Sequence, residues 1–367
     1  MSDGLPSPPP YPVPPSADAE DIVAALKASR PEEIPGLSWT KPDFAAPGHK
    51  IIRRFSVDPK KRPDRALVPC AICSLDHPKF YEGYILWSPD SYLRLIGHVC
   101  GADDARFGQS RFRQLVKQRD QEELDNLILD WLTSTINDIR PIEDEIRAMQ
   151  AFVLAWEMEQ KTLFRDVQML AELLENTTRR HRGVLTVAQE SSSARLFATA
   201  APGAARNLHE TAAIGALIGG TFLLRTTNKR SRQIEGILEA FACIPKGDGD
   251  TPIMALIDRG GENAVTIAGG TVFRAMGRAV ALADECEDAR RFFQPDNIAL
   301  LERWGGDPRN PQPFSVRRYT SHVEFKQHDL SRARINSALP ALPAFSRLRA
   351  IVASGTNVDR LLKRHRR

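Results

Sequence analysis

The chain of 367 residues carries 50 Lys and Arg against 46 Asp and Glu, a formal net charge of +4, with 42% hydrophobic and 26% charged residues. These values sit near those of ordinary globular proteins and leave room for two or three units, which excludes wholesale disorder and collagen-like or low-complexity fibres. Five cysteines in such a length cannot staple the fold, so a disulfide-held miniprotein is excluded as well.

The first 15 residues hold seven prolines, a composition that favours extended, solvated backbone, and residues 1–48 are expected to form a proline-rich, largely disordered arm. Within it Ser16 offers an N-cap to a short amphipathic turn with Ile22, Val23 and Leu26 on one side, which is expected to dock on the body of the protein. Lys50, Arg53, Arg54, Lys60, Lys61, Arg62 and Arg65 then face only Asp58 and Asp64, a local net charge of +5. This stretch fits two readings equally: an anion-binding, nucleic-acid-contacting segment, or an edge strand through Ile51-Ile52 and Phe55 kept soluble by its charges.

Between Cys70-Ala71-Ile72-Cys73 and His98-Val99-Cys100 lies a hairpin pattern: Tyr84 to Trp87, a Ser88-Pro89-Asp90-Ser91 turn, and Tyr92 to Ile96. The Cys-x-x-Cys spacing lets one tight turn aim two thiolates at a single ion, and zinc completes a tetrahedron with two more nitrogen or sulfur ligands. Cys100 is the expected third ligand. His98 is the expected fourth, because residues two apart on an extended segment project to one side; His77 is its competitor and Asp103 a more distant one. A redox Cys-x-x-Cys motif would want a βαβ context, and haem attachment would want a histidine where Ser74 stands. Four protein ligands would close the coordination sphere, so the cofactor predicted is one structural Zn²⁺.

The order knuckle, hairpin, ligands at a helix start resembles a treble-clef zinc finger over residues 66–105. The second ligand pair departs from that group in having one spacer residue, and no histidine set like that of HNH nucleases accompanies it. Modules of this kind serve nucleic-acid binding, protein binding and plain structural roles, so the resemblance implies a metal rather than an activity.

Long helices follow, the first with Asp103 and Asp104 available to cap it. Ile142, Ile146, Met149, Val153, Trp156, Leu163, Val167, Leu170 and Leu174 mark a heptad seam broken only by Gln160, which predicts one coiled-coil helix separated by Pro141 from an upstream helix. Residues 120–176 carry a net charge of −10, so a parallel homodimer would set like charges side by side. The seam is therefore expected to pack on the chain's own upstream helix or on a basic protein partner.

Further on, Val184 to Val187 reads as a strand, Thr211 to Leu224 as a buried core segment, and Arg232 to Ile244 and Asn263 to Arg290 as helices. Cys243 reads as a helix core residue, and Phe314 to Val316 and His322 to Phe325 as late strands. The acidic group Asp284, Glu285, Glu287 and Asp288 reads as a solvated face, and His322 with Glu324 as a surface pair rather than an acid–base dyad. The fourteen-residue apolar run at 211–224, with three glycines, falls short of the roughly 20 residues a bilayer requires, and no secretory leader pattern opens the chain. A cytoplasmic location with reduced cysteines is expected.

The class expected is thus α+β, predominantly helical, with a small zinc-bound β-hairpin module, long coiled-coil helices and a C-terminal α+β domain. The divisions expected are an arm at 1–48, a basic strand and zinc module at 49–102, acidic coiled-coil helices at 103–182, an α+β domain at 183–345 and a basic tail at 346–367. Functionally, the sequence points to a non-enzymatic, zinc-stabilised protein making protein contacts through its coil and nucleic-acid contacts through its basic segments. The competing readings are a pure scaffold without nucleic-acid binding, and an enzyme with an unrecognised site in 183–345.

Overall fold

A computed structural model describes residues 10–44, 46–73, 80–101, 109–190, 209–310 and 312–364. It divides into two units, residues 1–127 with 360–367, and residues 128–359. Helix predominates and the sheets are small and antiparallel, in keeping with an α+β class.

The first unit is organised by strands β1 (Lys50–Ser56), β2 (Glu82–Trp87) and β3 (Leu93–Gly97), with β2 central. The β2–β3 hairpin closes where expected, Ser91 taking a φ of 70° and donating its N–H to the Ser88 carbonyl at 2.8 Å. Alternation along the strands sends Ile52, Phe55, Ile85 and Leu95 to one face and Ile51, Tyr84, Leu86 and Ile96 to the other. Helix α1 (Glu20–Lys27) contributes Ile22 and Ala25 to the first face. After the short helix α2 (His98–Gly101), helix α3 (Gln109–Thr135) contributes Phe112 to the second, its ring meeting Tyr84 edge-on with centroids 5.4 Å apart. The proposed helix caps Asp103 and Asp104 lie outside the described residues.

Residues 10–48 do not behave as a solvated arm. The edge of β3 needs partners for its backbone, and the N-terminal segment supplies them: Leu93 donates to the Gly36 carbonyl at 3.0 Å and Ser38 to the Leu93 carbonyl at 2.8 Å. Trp87 donates its indole N–H to the Tyr11 carbonyl at 2.9 Å. Prolines that cannot build a core are interleaved with Ile22, Ile34, Leu37 and Trp39, which can.

In the second unit, α4 (Ile139–Asp166) carries the seam, and α5 (Gln168–His181) follows a break at Val167, whose φ of −137° is not helical. The predicted single helix is therefore two. Ile142, Ile146, Met149, Val153, Trp156 and Leu163 are fully buried against the chain's own later elements. The later elements of the unit are the hairpin of β4 (Val184–Glu190) and β5 (His209–Ala216), helices α6 (Arg230–Phe241), α7 (Thr251–Arg291) and α8 (Pro295–Gly305), and the meander β6 (Phe314–Arg318), β7 (His322–Gln327), β8 (Arg332–Asn336). Against α4 itself lie α6, β8, α7 and α5 rather than the upstream helix. The seam is the core stripe of a helix enclosed within one unit, a role that needs the same spacing as a coiled coil.

Helix α7 bends at Gly260 and Gly261, which leave helical φ and ψ, and then buries a small-residue stripe including Ala275, Ala279 and Ala283. The basic tail also folds. Helix α9 (Ser346–Ser354) buries Leu348 and Ile351, and α10 (Thr356–Arg364) buries Val358. Arg347 reaches Asp138 at 3.4 Å, and Arg349 reaches Asp284 at 2.7 Å and Glu287 at 3.0 Å. Among the described residues no helix is long and apolar enough to cross a membrane.

Candidate metal centre

Two backbone ties place the Cys-x-x-Cys loop against the end of the hairpin. Val68 donates its N–H to the Phe80 carbonyl at 2.9 Å, and Ala71 donates to the Leu95 carbonyl at 3.0 Å. Phe80 lies across Gly97, where an added Cβ would stand 2.9 Å from the ring, so the strand can end beneath an aromatic lid only because Gly97 has no side chain. Immediately after Gly97 the chain turns into α2 and delivers Cys100.

The sulfurs of Cys70, Cys73 and Cys100 all lie within 4.8 Å of one another, a group able to hold a metal ion. Cys70 is buried and the other two are half-buried. Within the group, Cys73 and Cys100 stand at disulfide distance with Cα atoms 6.9 Å apart, leaving Cys70 as the free thiol. The arrangement therefore supports either of two chemistries: three soft donors on one ion, or a Cys73–Cys100 bond that closes the loop around the hairpin.

His98 is not in this group. Its ring is exposed, with Nδ1 3.3 Å from the Glu82 carbonyl. Residues 98 and 100 would share a side only on extended backbone, but helix begins at His98, and residues two apart on a helix point in nearly opposite directions. His77 and Asp103 lie outside the described residues.

The basic segment forms the edge strand β1 and the turns after it, and most of its charge is matched within the first unit. Lys50 pairs with Glu122 at 3.7 Å, Arg53 with Asp18 at 3.2 Å, and Arg54 with Glu82 at 3.3 Å. Arg62 is buried, pairs with Glu32 at 2.9 Å and donates to the carbonyls of Ser29 at 2.6 Å and Ala66 at 2.5 Å. Lys60, Lys61 and Arg65 are exposed and have no carboxylate partner among the described residues.

Elsewhere, the acidic run on α7 is spent on individual partners. Glu285 holds Arg230 at 2.8 Å, and Asp288 accepts from the Thr221 hydroxyl at 2.6 Å. Glu324 pairs with Arg334 at 3.1 Å and Arg332 at 3.5 Å, while His322 stacks on Tyr319, so the two do not form a dyad. Cys243 lies just beyond the end of α6 and is exposed, which corrects its reading as a core residue. Sequence reasoning missed a cation-rimmed cleft in the second unit, because its residues come from two helices and a loop about 60 positions apart in the chain. Comparison with protein-family models, with curated proteins and with solved structures finds no match to this chain.

Proposed function

We propose that Cys70, Cys73 and Cys100 bind one structural zinc ion that locks the loop before the hairpin to the helix after it, in a protein that makes contacts rather than performs catalysis. The observation carrying the metal is the convergence of three sulfurs within 4.8 Å from two separate segments. With His98 turned away on α2, the fourth ligand is assigned to His77, the alternative that the sequence offers. With four protein ligands the ion has no open position, and its contribution is to folding. The exposed cations Lys60, Lys61 and Arg65 are the part of the basic segment left for a nucleic-acid backbone, and the burial of the seam moves protein contacts away from it.

Elemental analysis of the purified protein, together with thiol counting under non-reducing conditions, tests the metal. About one zinc per chain with Cys70, Cys73 and Cys100 protected from alkylation until chelator is added is the expected result. A second reading rests on the proximity of Cys73 and Cys100: a disulfide with Cys70 free, which the same experiment, with intact-mass measurement added, identifies by a mass two hydrogen atoms lighter and no metal. Filter binding of single-stranded and duplex nucleic acid over a salt series tests the contact role. A Lys60→Gln, Lys61→Gln, Arg65→Gln variant should bind more weakly with a shallower salt slope, and unchanged binding would remove the nucleic-acid assignment.

A further inference from the structure

A cleft of about 740 Å³ opens in the second unit between α4 and the loop leading into α6, of the size that small-molecule sites commonly have. Lys161, Arg165, Arg225, Lys229 and Arg230 line it, against a single acid, Glu157. Glu157 is already committed: its two oxygens accept from the backbone N–H of Ser231 at 3.0 Å and from its hydroxyl at 2.9 Å, capping the first turn of α6.

Two of the guanidiniums are fixed in place. Arg230 is 3% exposed, lies with Cζ 4.0 Å over the Trp156 ring, and donates to Glu285 at 2.8 Å and to the Leu224 carbonyl at 3.2 Å. Arg225 lies with Cζ 4.1 Å over the Phe164 ring and is held by Glu175 at 2.7 Å. Arg165 is paired with Asp166 at 2.6 Å. After Asp166, Glu175 and Glu285 are set against these three arginines, Lys161 and Lys229 remain, exposed and with no carboxylate partner among the described residues. Beside them Phe164 and Met158, the latter 60% exposed, give the cleft an apolar wall.

Two unmatched ammonium groups beside an aromatic wall complement a compact multiple negative charge joined to a flat, apolar body. Rigid arginines that keep their shape without ligand reduce the ordering cost of binding. We propose that this cleft binds a small phosphorylated molecule carrying a planar ring, of the nucleoside diphosphate class, with the phosphates at Lys161 and Lys229 and the ring along Phe164 and Met158.

Isothermal titration of the full-length protein with ADP, adenosine and inorganic pyrophosphate, each at low and high salt, tests this. Saturable ADP binding that weakens with salt, exceeds that of either fragment, and falls about tenfold in each of Lys161→Gln and Lys229→Gln is the expected result. Both lysines are exposed, so the variants should keep the wild-type circular dichroism and melting temperature. Absence of saturable ADP binding at millimolar concentration, or equal ADP binding by the double variant, would overturn the assignment. Adenosine binding as tightly as ADP would overturn the phosphate assignment in the same way.

Discussion

The side-chain amide of Gln160 donates to the carbonyl of Phe222 at 2.7 Å, and the indole of Trp156, one turn earlier on α4, donates to the same oxygen at 3.1 Å. Gln160 also reaches the Leu224 carbonyl at 3.2 Å. The residue that interrupts the seam thus serves the short 3-10 turn at 220–223 and the residue after it, donating to the Phe222 and Leu224 carbonyls. A buried polar side chain at a core position is satisfied here and fixes which loop the helix packs against.

Replacing Gln160 by Leu would perfect the heptad pattern, and in a coiled coil it would stabilise. In this fold it removes one donor from each of the Phe222 and Leu224 carbonyls, which keep Trp156 and Arg230 respectively, so a net loss of about 0.5–1.5 kcal/mol is expected. Urea denaturation read by circular dichroism distinguishes the two cases by the sign of the change. Val153→Asp, at a fully buried position of the same stripe, should abolish cooperative unfolding of the unit rather than dissociate a complex.

The coarse elements were legible because they depend on local pattern. Apolar, β-prone residues around a proline-bearing turn specify the β2–β3 hairpin, and the apolar spacing after Gly261 specifies the second half of α7. What the pattern leaves open is the partner. A core stripe enclosed by one chain and a coiled-coil seam share the same spacing, so Ile142 to Leu163 could be placed on a helix but not against α6 and β8. The tail was masked by its arginines, which hide Leu348, Ile351 and Val358 from a composition-based reading. At the candidate centre the cysteine spacing pointed to the three sulfurs, while placing His98 beside Cys100 required extended backbone through Cys100, and the strand ends three residues earlier at Gly97.

The cysteines should separate by reactivity. Burial, and then the charge of Glu285, push the Cys286 thiol up to about 12, so it holds its proton at pH 8 and is shielded from reagent. Cys243 is exposed. Brief alkylation of the native protein at pH 8, followed by peptide mass spectrometry, should label Cys243 fully and Cys286 only after denaturation.

Metal removal should act locally. If zinc joins Cys70 and Cys73 to Cys100, chelation or Cys100→Ser should raise hydrogen exchange across β2, β3 and the loop tied to them at Ala71, while the seam amides of α4 keep their protection. Equal protection of the hairpin with and without metal would remove the structural role assigned to the ion.

Acid should weaken the first unit through Asp90. The hydrogen bonds from Arg94, at 2.9 and 2.5 Å, hold its carboxyl below the ordinary aspartate range, against a smaller opposing effect of burial. A carboxyl whose pKa is lowered on folding stabilises the fold above its unfolded value, near pH 4, and that contribution disappears as pH falls through the folded value. Arg94 is 1% exposed, so Asp90→Asn leaves a buried guanidinium with neutral acceptors; Asp90 itself is half exposed, which limits the cost to about 1–3 kcal/mol. Melting curves between pH 7 and pH 2.5 should show a smaller acid-induced drop in the variant than in the wild type.

Two glycines of the second unit should respond to alanine with opposite signs. Gly219 has a φ of +73°, and a Cβ there would run into the backbone nitrogen of Phe292 and stand 2.7 Å from the Asp288 carbonyl, both main-chain atoms that cannot rotate away. Left-handed backbone costs an alanine about 1–2 kcal/mol before any clash, so Gly219→Ala should lose at least that and displace the loop from the end of α7. Gly236 lies inside α6, where nothing stands within 4 Å of an added Cβ. There alanine removes only the entropy that glycine loses in a helix, and Gly236→Ala should gain roughly 0.5–1 kcal/mol. Paired urea titrations of the two variants check both signs at once. A neutral Gly219→Ala would mean that the segment between β5 and the 220–223 turn does not pass against the α7 terminus as described, whereas a destabilising Gly236→Ala would mean that this face of α6 is covered.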